Sequence, residues 1–503
     1  MAESKQYIVL ARKGFFHETL RELEPAAETK GRRAPFVVKS KLAGGREIRV
    51  IHSIAANGPK LVELDELAAR AVNLYPDLRA LRPIEYARPL TRSIVRASYP
   101  LSLPTPHDPE GGSEITIRVW EKKKGKRVRA GGGLMVTALS NYAANIGEQK
   151  ATDDSGKVTL RVSGKTIERL CCEYLWGWGA FRNNTRVRSP YDLELEPLRE
   201  GFTDCVRRYY GGSRFDPATG VTVGVIDTGV GPHDDLKASL VGGLNTGTGK
   251  SPQDYQDTLG HGTFVAGLIA SVGKRFPKLR GLAPGVRIQA YRVFSGPLGK
   301  TTNYPVIHAL LQAQSDRCDI LNLSLETTGE RRRDEALEEA IADARDHGMI
   351  VVVAAGNDNR DAVDYPAAYP GATAVSAMGR EGTFPRRALE EMTVSPPKGH
   401  KDPKEFIASF SNVGEQISVT ALGVGVLSTL PGNDWGSCSG TSMAAPVVAG
   451  AAACLLSRNP AIYNMARNSA RSDAIEQLLI ANCVRRGFGP TFEGHGMPDP
   501  ERV

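Results

Sequence analysis

The sequence predicts an α/β protein. A doubly wound parallel sheet forms the largest domain, and a small α+β domain and a small β-sandwich domain precede it. Apolar runs alternate with helical patterns from about residue 201 onward, which is typical of a parallel sheet covered by helices. Residues 114–200 instead follow β-strand patterns, and the first 97 residues combine strand patterns with one helical pattern. A chain of 503 residues is also too long for one ordinary domain of roughly 150 residues.

The first predicted domain covers residues 1–97. It opens with a strand at residues 7–10 and has a second apolar run at residues 50–51. The i, i+3, i+4 spacing of apolar residues predicts a helix over residues 61–74, and a β-type ending follows at residues 78–86. Residues 98–113 are rich in Pro, Gly and Ser, so we interpret them as a linker.

The second predicted domain, residues 114–200, is a β-sandwich. Its strands include residues 115–120, 134–139 and 158–162, the last of them after an Asp-Asp-Ser-Gly-Lys turn. No cluster of reactive side chains stands out in this block. We therefore expect it to regulate access or to recruit substrate.

The third predicted domain, residues 201–490, carries the parallel sheet, and residues 491–503 form a tail. Strands are predicted at residues 221–226, 286–294, 320–323 and 350–355, and helices at residues 261–272, 306–315 and 334–347. Doubly wound sheets bind ligands at the carboxyl ends of their strands, so functional residues are expected there. The polar segment 379–404 fits a lid or docking loop, but disorder is the simpler interpretation.

Composition and charge exclude several classes of protein. The net charge of +8 is spread thinly, whereas nucleic-acid-binding domains concentrate Lys and Arg on one face, so no nucleic acid is expected. No run approaches ~18 consecutive apolar residues and the N-terminus lacks a signal-peptide core, so no membrane association is expected. Seven cysteines are an odd and sparse set, which favours a reducing, cytoplasmic compartment.

Four short motifs of the third domain stand at predicted strand ends or helix starts. Asp227 begins Asp-Thr-Gly-Val directly after a strand, and His261 lies in Gly-His-Gly-Thr at the start of a helix. Asn357 follows the strongest apolar strand, in Ala-Gly-Asn-Asp. Ser442 lies in Gly-Thr-Ser-Met-Ala-Ala-Pro, which opens an apolar helix.

These residue types supply the parts of an acyl-transfer reaction. A serine hydroxyl is a weak nucleophile, so Ser442 needs a base, and His261 can accept its proton and return it to the leaving amine. Asp227 would fix the imidazole tautomer and stabilise the imidazolium. Asn357 would donate a hydrogen bond to the oxyanion, a contribution typically worth roughly 10²–10³ in turnover. The sequence therefore predicts a serine endopeptidase that forms an acyl-enzyme.

The four motifs resemble those of the subtilisin-like serine proteases, or subtilases, across residues 201–490. The chain order Asp, His, Ser is the one that subtilisin uses. The resemblance implies a triad of Asp227, His261 and Ser442, with Asn357 as the oxyanion donor. It also implies a pocket for the P1 side chain, walled by two short segments: Ser324, Leu325 and Glu326, and Ala354, Ala355 and Gly356. Many relatives have glycine in place of Glu326, whose carboxylate either favours a basic P1 side chain or is a solvated rim residue.

Two further expectations follow from the resemblance. The first domain is similar in size and ending to the inhibitory prodomains of many subtilases, although the β-domain separates it from the catalytic block. If the chain cuts itself, the linker at residues 98–113 is the first candidate. Asp235 matches a calcium-binding position of many relatives, but the partner loop at residues 273–278 has three cations and no carboxylate. We therefore expect no calcium site of that type, no other metal and no cofactor.

Other functions compete with this interpretation. The main rival is a non-catalytic binding or scaffold protein on a subtilase fold, although such a protein has no need of all four motif residues. Another is a zymogen that stays silent until a partner displaces residues 1–97. Aspartic proteases also use Asp-Thr-Gly, but the second motif of this kind, Asp-Ser-Gly at Asp154, lies in a polar hairpin of a different block. The expected partner is a protein or peptide substrate, and the organisation leaves room for a regulatory partner protein.

Overall fold

A computed structural model describes residues 4–12, 14–24, 35–87, 111–123, 126–174, 177–199, 201–211, 218–247, 249–294, 300–327 and 333–501. Residues 98–110 of the predicted linker, and with them most of the candidate cleavage region, lie outside these ranges.

The N-terminal part is a five-stranded antiparallel sheet in the order β2-β3-β4-β1-β5. Its strands are Lys5–Ala11 (β1), Phe36–Ser40 (β2), Arg46–Ser53 (β3), Lys60–Leu64 (β4) and Leu78–Leu81 (β5). Helix Glu66–Asn73 (α1) and the 3₁₀ helices Glu18–Leu23 and Lys41–Ala43 accompany it.

The helix predicted over residues 61–74 is wrong in its first part, because residues 60–64 form β4 and the helix begins after Asp65. The Asp65 carboxylate caps the helix by accepting a hydrogen bond from Ala68 N at 2.7 Å. β4 is buried on both faces: Leu61 packs against the large C-terminal domain and Val62 against the core beside α1. The apolar residues of β4 therefore lie on both faces of the strand, and Leu61 and Leu64 also fit the i, i+3 spacing of a helix.

The predicted β-type ending at residues 78–86 consists of two strands in different sheets. β5 is an edge of the N-terminal sheet, whereas Glu85–Ala87 (β6) leaves that sheet. β6 lies between two short strands of the large domain and pairs antiparallel with both.

The described residues of the middle part form strands and no helix. Eight strands form two four-stranded sheets, one in the order β10-β9-β12-β14 and one in the order β11-β7-β15 with β8 on β7, and β13 pairs with β16 in a separate two-stranded sheet. Apolar residues of both sheets, among them Ile117, Val119, Val136 and Leu170, pack into one core. The strands are Ser113–Lys123 (β7), Lys126–Arg129 (β8), Met135–Asn141 (β9), Ile146–Ala151 (β10), Lys157–Val162 (β11), Thr166–Cys172 (β12), Gly177–Trp178 (β13), Ala180–Arg186 (β14), Tyr191–Glu194 (β15) and Glu196–Pro197 (β16).

The large domain contains an eight-stranded sheet in the order β18-β19-β17-β21-β23-β24-β25, with β26 on β24. All pairings are parallel except that of β25, which confirms the predicted α/β class. The strands of this domain are Thr222–Asp227 (β17), Leu240–Asn245 (β18), Arg287–Arg292 (β19), Lys300–Thr302 (β20), Ile320–Leu323 (β21), Glu326–Thr327 (β22), Ile350–Ala354 (β23), Ala372–Arg380 (β24), Glu405–Ile407 (β25), Ile417–Leu422 (β26), Val426–Leu430 (β27), Asp434–Cys438 (β28), Cys483–Val484 (β29) and Met497–Pro498 (β30).

Helices cover both faces of this sheet. They are Cys205–Tyr210 (α2), His261–Ala270 (α3), Asn303–Ser315 (α4), Glu335–Asp346 (α5), Thr441–Ser457 (α6), Pro460–Tyr463 (α7), Ser469–Ala481 (α8) and Pro490–Glu493 (α9), with 3₁₀ helices at Pro277–Leu279 and Leu389–Thr393. The chain after residue 490 packs on the domain: Glu493 and Met497 are buried, and β30 pairs with β29.

The segment at residues 379–404 is ordered, so the expectation of disorder is wrong. Its 3₁₀ helix docks against the β-sandwich, where Leu389 N donates to Gly179 O at 3.1 Å and Phe181 N donates to Arg387 O at 3.0 Å. Leu389 also packs with Leu139 and Cys171 of the sandwich. The partner that orders this polar segment lies far away in sequence, which local composition does not reveal.

Candidate active site

Asp227 is the last residue of β17, at the carboxyl end of a central parallel strand. Its side chain is fully buried and accepts hydrogen bonds from Thr228 N at 2.7 Å and from His261 Nδ1 at 2.8 Å. The second carboxylate oxygen lies 2.9 Å from the same Nδ1. The pair therefore fixes both the orientation of the ring and the proton on Nδ1.

His261 is the first residue of α3, and the loop before it is held by a carboxylate that the sequence analysis did not identify. Asp257 Oδ1 accepts from Gly260 N and from Thr228 Oγ1, and Oδ2 accepts from Thr263 N and Thr263 Oγ1, at 2.6–2.9 Å. Asp257 thus caps α3 and connects it to the residue after Asp227. An Asp four residues before a helix start, in a polar loop, is the sequence signal that indicates such a cap.

Ser442 is the second residue of α6, and Asn357 follows β23. Asn357 Oδ1 accepts hydrogen bonds from Thr441 N at 2.9 Å and from Thr441 Oγ1 at 3.0 Å, so the amide is attached to the residue before Ser442. This orientation leaves the Nδ2 donor free. A methyl group built on Gly440 would lie 3.8 Å from that Nδ2 and 3.7 Å from Ser442 N, which places the free donor beside the backbone of the serine.

Three buried polar atoms of these motif residues have no hydrogen-bond partner among the described residues. They are His261 Nε2, Ser442 Oγ and Asn357 Nδ2. His261 is 6% exposed, Ser442 1% and Asn357 7%. Leaving a buried donor or acceptor unsatisfied typically costs about 1–3 kcal/mol, so these three atoms are the ones to which we expect a bound substrate to hydrogen-bond. The helices that begin with these residues, α3 and α6, pack against each other.

The predicted P1-pocket residues lie beside this group. Ser324 Oγ donates to Ser442 O at 3.2 Å, which ties the first segment directly to the serine. Leu325, Ala354 and Ala355 are buried, and Glu326 begins β22. Gly356 has a φ of +106°, and a methyl group there would meet Asn412 Nδ2 at 2.4 Å, so the second segment requires glycine.

An extended segment of the same chain, β6, lies between two short strands of the large domain, and one of them, β22, begins two residues after Ser324. β6 pairs with β20 on one side, where Thr301 faces Tyr86, and with β22 on the other, where Glu326 faces Ala87. The sequence analysis did not predict this pairing, because three-residue strands from distant parts of the chain carry no periodic signal.

Acidic side chains cluster at the edge of the pocket. Carboxylate oxygens of Glu326, Asp358 and Asp364 lie within 4.8 Å of one another and form a group that could hold a cation. Asp364 accepts from Thr327 Oγ1 and Tyr365 N, and Asp358 accepts from Asn412 Nδ2 at 2.9 Å. The cluster gives the pocket edge a negative charge.

Asp235 and Asp154 lie outside this site. The Asp235 carboxylate accepts from Lys274 N at 2.9 Å and from Ser271 Oγ at 3.3 Å. Asp154 lies in the turn between β10 and β11 of the sandwich, so the structure does not bring it to Asp227.

No helix among the described residues combines the length and the apolar character needed to cross a bilayer. A family model for the subtilase family matches residues 218–496. The thermostable alkaline protease of Halalkalibacterium halodurans is 36% identical over 278 residues, which cover 55% of this chain and 66% of that protein. Subtilisin DY of Bacillus licheniformis is 36% identical over 260 residues, 50% of this chain and 83% of the relative. Subtilisin Savinase of Lederbergia lenta is 35% identical over 259 residues, 50% of this chain and 84% of the relative.

Proposed function

The chain belongs to the subtilase family of serine endopeptidases, and we propose that Asp227, His261 and Ser442 perform its hydrolysis of peptide bonds. Ser442 Oγ attacks the substrate carbonyl while His261 Nε2 takes its proton. His261 then gives the proton to the leaving amine, the C–N bond breaks, and an ester to Ser442 remains. A water attacks this ester with the same histidine as base, and the acid product leaves.

Two other groups lower the barrier of these steps. Asp227 keeps the proton on His261 Nδ1, so that Nε2 has a lone pair for the serine proton, and it stabilises the imidazolium that forms. Asn357 Nδ2 donates to the oxygen that becomes negative in the tetrahedral intermediate. The backbone N–H groups at the start of α6 add a positive potential at the same place.

The observation that carries this proposal is the set of three unpartnered buried atoms, His261 Nε2, Ser442 Oγ and Asn357 Nδ2. His261 Nε2 is a base, Ser442 Oγ is a nucleophile and Asn357 Nδ2 is a hydrogen-bond donor. A second atom of each residue (His261 Nδ1, Ser442 O and Asn357 Oδ1) accepts or donates a hydrogen bond that holds the residue in place. A scaffold protein would gain nothing from keeping these atoms unsatisfied.

A fluorophosphonate probe tests the proposal against the scaffold alternative. We expect covalent labelling of the wild-type chain at Ser442 and no labelling of Ser442→Ala. Ser439→Ala is the matched control, since Ser439 lies in the same segment and accepts from Gly425 N, and it should still be labelled. A wild-type chain that stays unlabelled, including after acid treatment to release the N-terminal sheet, would favour the scaffold.

The N-terminal sheet is proposed to hold the enzyme inactive by placing β6 in the substrate groove. β6 runs antiparallel to β22, and its register advances from Thr327 to Glu326 as the chain goes from Tyr86 to Ala87. Continued in this direction, the register passes the start of β22 and reaches Ser324, which contacts Ser442. β6 thus runs toward the nucleophile with backbone pairing on both sides, as an extended substrate would.

Ion pairs between the N-terminal sheet and the large domain offer a test. Arg79 pairs with Glu339 and lies 3.7 Å from Glu335, both on α5. We expect Arg79→Ala to raise the rate of Ser442 labelling, because it weakens docking. Arg70→Ala removes an exposed pair within α1 and serves as the control. Equal labelling rates in wild type and Arg79→Ala would contradict inhibition by this domain.

Self-cleavage, the compartment and a partner complete the proposal. Intact-mass measurement of wild type beside Ser442→Ala reports whether the chain cuts itself and at which bond, with the linker at residues 98–113 as the expected region. A cytoplasmic location is supported by the odd and sparse set of seven cysteines, all of which are buried. Fractionation of cells that express the protein tests the location. A regulatory protein that displaces the N-terminal sheet would act on the same docking contacts.

A further inference from the structure

The side chain of Tyr86 is the deepest anchor of β6. Its exposed fraction is 0%, although it lies on a three-residue strand at the surface of the large domain. The preceding Ile84 is held through its backbone by Asn303, with Asn303 N donating to Ile84 O at 2.9 Å. The groove therefore contains a closed subsite that receives one large side chain.

Polar groups at the bottom of this subsite contact the hydroxyl of Tyr86. Tyr86 Oη lies 3.3 Å from Asp334 Oδ2 and also hydrogen-bonds to Tyr369. Asp334 is 3% exposed; its Oδ1 caps α5 by accepting from Ala336 N and Leu337 N. Burial, and then the charge of Asp334, raise the pKa of Tyr86, so the phenol keeps its proton and donates it to the carboxylate.

We propose that this subsite selects substrates with a tyrosine at the position of Tyr86, and that Asp334 recognises the tyrosine hydroxyl. The inference rests on the proposed function, because it assumes that substrates take the place of β6. Phenylalanine fills the same volume but removes the hydroxyl that donates to Asp334 Oδ2, while Oδ1 keeps its two backbone donors. Loss of a hydrogen bond to a buried carboxylate disfavours the analogue that lacks the hydroxyl.

The strand register fixes where the tyrosine stands relative to the scissile bond. Tyr86 faces Thr327, and each further residue of an antiparallel partner moves one residue back along β22. A substrate in this register has the third residue after its tyrosine opposite Ser324, the residue bonded to Ser442. The carbonyl of that residue is the one that Ser442 attacks. The tyrosine is therefore the fourth residue before the scissile bond.

A one-pot competition between two internally quenched peptides tests the proposal on the full chain. The peptides differ only in Tyr or Phe at the fourth residue before the bond. The ratio of their kcat/KM values does not depend on how much of the enzyme is active. We expect the Tyr peptide to be preferred by roughly ten- to a hundred-fold, and no preference when the pair is moved to the fifth residue. A ratio near one at the fourth residue overturns the inference.

The variant Asp334→Asn separates recognition from folding. Asparagine has nearly the same volume and also caps helices, but it lacks the charge that binds the hydroxyl. We expect the Tyr-to-Phe ratio to fall toward one. Asp65→Asn makes the same change at the cap of α1 and should keep the wild-type ratio. An unchanged ratio in Asp334→Asn assigns the preference to other residues and overturns the role of Asp334.

A second test uses Tyr86 itself, which fills the proposed subsite in the full chain. Tyr86→Phe removes only the hydroxyl from β6, and we expect it to raise the rate of fluorophosphonate labelling of Ser442 several-fold. Tyr75→Phe is the control, because its hydroxyl bonds Lys41 O within the N-terminal part. Equal rates in Tyr86→Phe and wild type overturn the inference. Absence of any label would contradict the proposed function instead, so the two failures are distinguishable.

Discussion

Acidification is predicted to release the N-terminal sheet from the large domain. His52 on β3 and His308 on α4 meet at this interface with ring centres 5.5 Å apart, and His52 Nδ1 lies 3.0 Å from Tyr304 Oη. The charged groups nearby are Lys60 and Glu24, which form an ion pair at 2.9 Å. Burial lowers the pKa of His308 to about 4, with a further contribution from His52. Burial and then Lys60 lower the pKa of His52.

The direction and the size of the pH effect on docking follow from these two pKa shifts. Both histidines are neutral while the sheet is docked, so their contribution to docking is complete above the ordinary pKa of 6.5 and is lost as the pH falls below it. If release of the sheet returns the pKa of His308 from about 4 to its ordinary 6.5, lowering the pH from 7.5 to 5.0 reduces the docking constant by about 30-fold, or about 2 kcal/mol. His52 adds to this in the same direction.

Hydrogen exchange measures the release without relying on catalysis, which itself depends on pH. Amide hydrogen exchange of the Ser442→Ala protein would be measured at pH 7.5 and 5.0. The protection of the amides of residues 85–87 and 300–302 would then be corrected for the pH dependence of the intrinsic exchange rates. We expect protection to fall by the factor above. His308→Gln should remove most of the loss of protection. This result would assign the loss to His308 and not to Glu339, an interface carboxylate whose pKa is raised by burial. Protection that is equal at both pH values, or a fall that is undiminished in His308→Gln, would refute the reasoning.

Three further predictions concern the active site and its surroundings. Asn357→Ala should lower kcat by roughly 10²–10³ with little change in KM, since its donor acts on the oxyanion. If the acidic cluster favours a basic P1 side chain, P1-Arg peptides should be cut faster than P1-Leu peptides, and Glu326→Gln should reduce that ratio several-fold. Calcium should change the Tm of wild type and of Asp235→Asn by the same amount, because the Asp235 carboxylate is already bonded to Lys274 N and binds no calcium.

Each of these has a contrary outcome. A change in KM at constant kcat for Asn357→Ala would place the amide in ground-state binding. Equal cleavage of P1-Arg and P1-Leu peptides would make Glu326 a solvated rim residue. A rise in Tm with calcium that is present in wild type and lost in Asp235→Asn would place a calcium ion at Asp235.

The sequence predicted best what is contiguous and strongly patterned. Each of the four motifs carries its functional residue within a few positions of a strand end or a helix start, and parallel topology brings those ends to one edge of the sheet. Asp227 and His261 are consequently found 2.8 Å apart although 34 residues separate them. The buried strands and the amphipathic helix Glu335–Asp346 were also found close to their predicted bounds.

What the sequence did not predict depends on partners far along the chain. β4 has apolar residues on both faces because two domains cover them, so their spacing also fits a helix, and only Asp65 marks the change. The polar segment around Leu389 is ordered by the sandwich, and β6 by two strands more than 200 residues away. The tyrosine subsite is invisible for the same reason, since Tyr86 and Asp334 are 248 residues apart.

Trapping the acyl-enzyme tests whether Ser442 is the nucleophile. The chain would be mixed with a reactive ester substrate, quenched in acid after milliseconds, digested and analysed by mass spectrometry. We expect one added acyl group on the peptide that contains Ser442 in the wild type, and no added acyl group in Ser442→Ala. Turnover of the ester with no covalent adduct, or an adduct on another residue that persists in Ser442→Ala, would contradict this role of Ser442.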